Sequence, residues 1–291
     1  MANNSTPARL GIIGGSGLYS MPDLAEVEEH TLLTPFGRPS APIVTGMLEG
    51  RRVAFLARHG LGHVLTPGEI NYRANIYALK SLGVERVVSV SACGSLREDF
   101  QPGQIVIPDQ LFDFTKNRAR SFFEGGLVAH VGVPDPFCPD LSEMVFNACR
   151  ETGSIVHRGG ASITIEGPRF STRAESNVFR GWGMSIIGMT TSPEAFLAKE
   201  AELCYAVMAH VTDYDVWRVS EEPVNVEMIL RTIGENLEHA QQAVRNLVKS
   251  WKDERECDCE QTMEKAFTTQ RDRIPKAARK KLGILVDKYL D

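Results

Sequence analysis

Nearly three-quarters of the way along its 291 residues the chain reads Thr212-Asp213-Tyr214-Asp215, closing a run that is apolar apart from His210. Carboxylates at i,i+2 project to the same side of an extended chain. One of them can then accept from an exocyclic amine while the other donates a proton to a ring nitrogen, provided burial and mutual repulsion raise its pKa. Other polar groups close earlier apolar runs. Gly14-Gly15-Ser16-Gly17 follows the first run and offers backbone N–H groups and a hydroxyl, a combination that suits an oxyanion. It lacks the Lys-Ser/Thr ending of a P-loop and the third glycine of a dinucleotide fingerprint, and read alone it is equally a tight turn. Arg58-His59-Gly60 and Ser91-Ala92-Cys93-Gly94-Ser95 end two further runs, the first with a guanidinium suited to bidentate phosphate binding and an imidazole read as a further donor. Three such loops can converge on one tetrahedral anion, although each is also a plausible solvated loop. Glu166-Gly167-Pro168-Arg169-Phe170 and Gly188-Met189-Thr190 end two more, and Phe170 offers a face for stacking a base or sugar. Arg173 and Glu175 fit either a shared pocket or a surface ion pair.

The elements that position these groups follow from hydrophobic spacing. Strand-length apolar runs recur at 10–13, 43–47, 53–57, 86–91, 104–107, 162–165, 185–189 and 204–211, several of them apolar on both faces, as in a buried mixed or largely parallel sheet. Helical patterns lie between them. One spans 70–82, another spans 141–149 after an Asp140 cap, and a third opens at Ser192-Pro193-Glu194. From Val226 to Trp251 apolar residues recur at helical spacing over about seven turns. The pattern predicts an α/β fold, with a domain over 8–252 and a charged, partly helical extension over 253–291. Residues 252–291 hold ten Lys/Arg and nine Asp/Glu, and the apolar residues 282–286 favour helix packing over contact with nucleic acid.

With 43% hydrophobic and 24% charged residues among 291, the composition excludes disordered, collagenous and coiled-coil classes. A net charge of −5 gives no footprint for duplex nucleic acid. No signal-like region opens the chain and no window approaches a membrane span, so a cytoplasmic location is expected. Cys93, Cys149 and Cys204 lie in apolar stretches, as buried free thiols do. Cys257 and Cys259, in an acidic run, are read as solvated thiols, with an i,i+2 disulfide or a pair of metal-binding thiolates as alternatives.

Taken together, LGIIGGSG, TPFGRPSAPI, ARHG, HVLTPGEINYRANI, SACGSLRED, IEGPRFSTRAES, GMTTSPEAFLAKE and TDYD resemble the trimeric purine nucleoside phosphorylases over roughly residues 8–252, and within them the 5′-methylthioadenosine-cleaving branch. The resemblance implies a single α/β domain with a mixed central sheet flanked by helices. It implies phosphorolysis of 5′-methylthioadenosine to adenine and 5-methylthioribose 1-phosphate, with cleavage of a 6-oxopurine nucleoside, hydrolysis or nucleoside binding without turnover as rivals. It places Ser16, Arg58, His59, Ser91, Ala92 and Thr190 at phosphate, Phe170 and Met189 at base and ribose, and Asp213 and Asp215 at adenine. Val226, Ile229 and Leu230 match the wall around the 5′ substituent. His130 matches a residue that closes a neighbouring subunit's site, which implies a homotrimer. No metal ligand and no organic cofactor is expected; inorganic phosphate is the co-substrate, and neither nucleic acid nor membrane is a partner.

Overall fold

Each apolar run becomes a strand of one mixed sheet in the computed structural model, which describes residues 7–15, 18, 21–218 and 225–290, the side chains of Met228, Leu230 and Ile233 excepted. In chain order the elements are β1 (Leu10–Gly14), β2 (Ala25–His30), β3 (Ile43–Leu48), β4 (Arg51–Ala57), α1 (Tyr72–Ser81), β5 (Arg86–Ser95), β6 (Ile105–Ile107), β7 (Gln110–Phe114), α2 (Pro139–Arg150), β8 (Val156–Arg158), β9 (Ala161–Ile165), α3 (Arg173–Gly181), β10 (Ile186–Gly188), α4 (Thr191–Glu200), β11 (Cys204–Asp213), α5 (Val226–Lys249), α6 (Lys276–Leu282) and α7 (Asp287–Leu290). The sheet runs β2-β3-β4-β1-β5-β10-β9-β7, with β11 also on β5 and with β6 and β8 beyond it. β1, β4, β5 and β11 are mutually parallel neighbours, whereas β10 meets β5 antiparallel.

Period-2 alternation divides the strand side chains between two cores. Ile13, Leu56, Val87 and Val207 face a layer built from α1 and α4, while Ile12, Phe55, Val88 and Met208 face α2 and α5. The C-terminal segment serves both layers: Met263, Ala266, Leu282, Leu285 and Val286 are buried among α1 and α4 residues in the first, whereas Cys259 is buried in the second with Cys257 packed against it. Arg86 fastens the start of this segment by donating to the Lys252 and Glu254 carbonyls at 2.6 and 2.7 Å and stacking over Trp251.

Three strands escape the hydrophobic pattern. β2, Ala-Glu-Val-Glu-Glu-His, is a mostly exposed sheet edge, β7 alternates exposed with half-buried residues, and β8 has three residues. Asp140 sits inside the first turn of α2 rather than capping it; the cap position is Cys138, followed by Pro139. Cys259 is buried and Cys257 half-buried, so the expectation of solvated thiols fails once the extension folds onto the sheet. Among the described residues no helix is long and apolar enough to cross a membrane.

Candidate active site

β5 is the hub on which the candidate residues meet. At Ser89 and Val90 it receives Arg58, which leaves the end of β4 with its backbone N–H on the Gly14 carbonyl. The guanidinium is almost fully buried. Its Nε and Nη2 grip Glu194 of α4 at 3.0 and 3.1 Å, Nη2 also bonds Ser89 Oγ at 2.5 Å and the Ile13 carbonyl at 3.3 Å, and Nη1 reaches the Val90 carbonyl at 3.3 Å. Burial opposes the charge, but Glu194 outweighs it and the pKa of Arg58 is raised. Glu194, fully inaccessible, is held in turn by the Tyr205 hydroxyl at 2.8 Å. Arg58 was expected as an open fork for phosphate. The structure commits that fork to a carboxylate and leaves only one Nη1 N–H outside these bonds.

His59 directs Nδ1 at the Leu65 carbonyl, 2.9 Å away, and stacks on His63. Burial, followed by the neighbouring charges of Arg58 and His63, lowers its pKa to about 4. The neutral ring therefore donates from Nδ1 and presents Nε2 as an acceptor, the reverse of the expected donor. Ser91 and Ala92 are half-buried mid-strand residues of β5, paired with Ala209 and His210 of β11. Thr190 precedes α4, buried, with its hydroxyl making no capping bond. Ser16 lies outside the described residues.

Arg118, a residue the motifs did not single out, ties together the elements opposite β5. Its buried guanidinium bonds the carbonyls of Glu166, Met189 and Ser192 at 2.6, 2.7 and 2.8 Å, and its Nε bonds Glu166 Oε1 at 3.2 Å. The ends of β9 and β10 and the start of α4 are thereby fixed to one another. Met189 and Phe170 are half-buried, and Gly167, at φ +65°, leaves room for the Met189 sulfur, which a Cβ there would meet at 2.7 Å.

Asp213 ends β11 opposite Gly94 of β5, where the register shifts. A Cβ on Gly94 would lie 3.0 Å from Asp213 Oδ1 and 3.3 Å from Asp215 Cβ, so the glycine is what admits both acids to the strand. Asp213 accepts from Thr212 Oγ1 and from the Asp215 N–H, each at 2.7 Å. Burial, helped by the Asp215 charge and opposed by those two bonds, raises its pKa to about 6. The pKa of Asp215 is also raised by burial, against the nearby Ser176 and Ser171 hydroxyls and the Val216 backbone. Asp215 Oδ2, Ser171 Oγ and Ser176 Oγ are all buried without a partner in hydrogen-bond geometry. Buried polar atoms are rarely left so unless a ligand or water completes them.

The remaining candidates are not gathered here. Val226 is 61% exposed at the start of α5, Ile229 is half-buried, and the Leu230 side chain lies outside the described residues. His130 is exposed, on a loop held by the C-terminal segment: its N–H bonds the Ala266 carbonyl at 2.8 Å, and Val128 exchanges bonds with Thr268 and Thr269. Glu175 takes the surface reading, capping α3 through Thr172 and pairing with Arg169 at 2.6 Å rather than with Arg173. Arg118, Ser171 and Ser176 escaped sequence reasoning, while Gly94 was read only as part of a polar loop and Glu194 only as opening a helix; a glutamate inside an otherwise apolar helix face was the one available signal.

Known proteins share this chain's sequence pattern and fold. The profile of the Phosphorylase superfamily matches residues 9–250. S-methyl-5′-thioadenosine phosphorylase of Koribacter versatilis is 50% identical over 282 residues, covering 97% of both chains, and that of Geobacter sulfurreducens is 50% identical, covering 97% of this chain and 99% of its own. Among solved structures, a methylthioadenosine phosphorylase from an antarctic soil metagenomic library superposes with a TM-score of 0.93 at 42% identity, over 97% of this chain and 100% of its own. Methylthioadenosine phosphorylase from Schistosoma mansoni in complex with adenine gives 0.79 at 37%, over 83% and 91%. A mixed sheet with its polar groups gathered on β5, matched over nearly its whole length by such relatives, makes this chain a member of the phosphorylase superfamily.

Proposed function

We propose that the chain is a pentosyltransferase that cleaves 5′-methylthioadenosine with inorganic phosphate, giving adenine and 5-methylthioribose 1-phosphate. The carrying observation is the Asp213–Asp215 pair, one acid with its pKa raised to about 6 and the other with a buried oxygen lacking a partner. The C1′–N9 bond breaks as a phosphate oxygen bonds C1′, through a sugar cation that the phosphate dianion stabilises. Asp213, protonated, hands its proton to N7 of the departing base, help that is worth about 10²- to 10⁴-fold. Asp215 Oδ2 accepts from the 6-amino group; a 6-oxo group would set acceptor against acceptor. Phosphate sits among the Gly14-Gly15 turn, Ser16, Ser91, Ala92 and Thr190, with His59 Nε2 accepting a P–OH and Arg58 supplying its last N–H. Phe170 and Met189 flank base and ribose, and Val226, Ile229 and Leu230 border the methylthio group.

Because His130 is exposed and matches a residue that closes a neighbouring subunit's site in the family the sequence resembles, the proposal includes a homotrimer in which it does the same. No metal or organic cofactor enters the reaction, and the working location is the cytoplasm. The test is base release from methylthioadenosine, adenosine, methylthioinosine and inosine, with and without phosphate. Release should require phosphate, and kcat/KM should rank methylthioadenosine above adenosine and adenosine above inosine. Phosphate-independent release would mean a hydrolase, preference for a 6-oxopurine would overturn the assignment of the acids, and binding without turnover would remove the enzyme reading.

A further inference from the structure

We infer that Cys138, Cys204, Cys257 and Cys259 form a tetrathiolate site for one structural Zn²⁺ that fastens the C-terminal segment to the sheet. The four Sγ atoms lie within 4.8 Å of one another, and the Cys204–Cys257 separation is 3.4 Å. A tetrahedral Zn–S₄ centre with bonds near 2.3 Å has sulfur–sulfur edges of about 3.8 Å, so the cluster closes on the metal with small side-chain movements. The 3.4 Å separation is far beyond a covalent S–S bond. Four sulfurs without nitrogen or oxygen ligands select a soft tetrahedral ion in a closed, structural site.

The ligands come from three places that only the fold unites: the cap of α2, the first residue of β11, and the turn at 257–259. The surroundings suit a net negative centre. Cys138 sits at the N-terminus of a 12-residue helix. Arg255 places its charge beside Cys204, with a buried Nη1 that makes no hydrogen bond. Cys204 and Asp213 stand at opposite ends of β11, roughly 30 Å apart at 3.3 Å per residue, so the metal has no part in the reaction. Its effect is mechanical, because the segment it anchors also holds the Val128–His130 loop.

The full chain, purified under reductant, should carry about one zinc by elemental analysis. After chelation, Co²⁺ should give tetrahedral thiolate charge-transfer and ligand-field bands that saturate at one equivalent and vanish on adding Zn²⁺. Cys257→Ser with Cys259→Ser should abolish the bands; if that variant cannot be purified, the cobalt titration of the unaltered chain decides. Six reactive thiols in the unfolded protein with neither metal nor cobalt bands would overturn the proposal. So would iron in place of zinc, or an intact mass showing disulfides together with no cobalt uptake after reduction.

Discussion

At the Arg58 end of the site a buried guanidinium is surrounded by acceptors, with Glu194 gripped at 3.0 and 3.1 Å. At the other end, Asp215 Oδ2 and the nearby Ser171 and Ser176 hydroxyls are buried without closing a hydrogen bond in good geometry. The first arrangement is complete in the free chain and holds β1, β4, β5 and α4 together. The second is left open, for a ligand or water with matching donors and acceptors to complete. Rigidity and open polar groups are thus placed at different points along one strand, and under the proposed function a phosphate there would face a cation already neutralised.

The contrast is broken most severely at Arg58. Arg58→Ala leaves Glu194 buried and unpaired, and breaking such a pair costs about 3–5 kcal/mol, so thermal unfolding should show a large fall in Tm. Arg58→Met combined with Glu194→Leu should recover much of that loss without recovering phosphate use. Equal losses in the single and double variants would show that the pair is not the brace.

Asp213→Asn should lower kcat by about 10²- to 10⁴-fold while stabilising the fold. The folded pKa, about 6, lies above the ordinary carboxyl value near 3.9. Stability from the protonated acid is full below about pH 4 and is lost as pH rises through about 6. The uncharged variant should therefore gain on the order of 2 kcal/mol near pH 7.5 and nothing near pH 4. Parallel melts at the two pH values check the sign; an equal gain at both would deny that Asp213 ionisation carries it.

Asp215 holds φ +51°, which asparagine tolerates better than alanine. Asp215→Asn should erode the preference for adenosine over inosine by about 10², part of the 10⁴ to 10⁵ that hydrogen-bonded sites achieve. An unchanged ratio would remove Asp215 from base reading. The smallest effect is expected from Thr190→Val: one lost hydroxyl contact of about 1 kcal/mol should raise the phosphate KM several-fold with kcat for saturated enzyme little altered. No change in phosphate KM would place the anion elsewhere.

Legibility in the sequence follows the same division. The eight apolar strands could be read because burial on one or both faces leaves a periodic trace, whereas β2, β7 and β8 are polar, half-exposed or very short and leave none. Asp213 stood out as charge at the end of an apolar run. Glu194 did not, because its meaning depends on Arg58, 136 residues away. Ser171 and Ser176 look like ordinary loop and helix residues until β11 brings Asp215 to them. Cys138 acquires its neighbours only when α2, β11 and the C-terminal segment meet.

The Arg58–Glu194 pair also sets a timetable for a chain leaving the ribosome. At about 5–20 residues per second, the 136-residue separation keeps Arg58 without its carboxylate for on the order of ten seconds, and β11, which flanks β5, emerges later still. During that interval β1, β4 and β5 cannot close their sheet around a paired charge. The nascent N-terminal half therefore gains this brace only once α4 has been made.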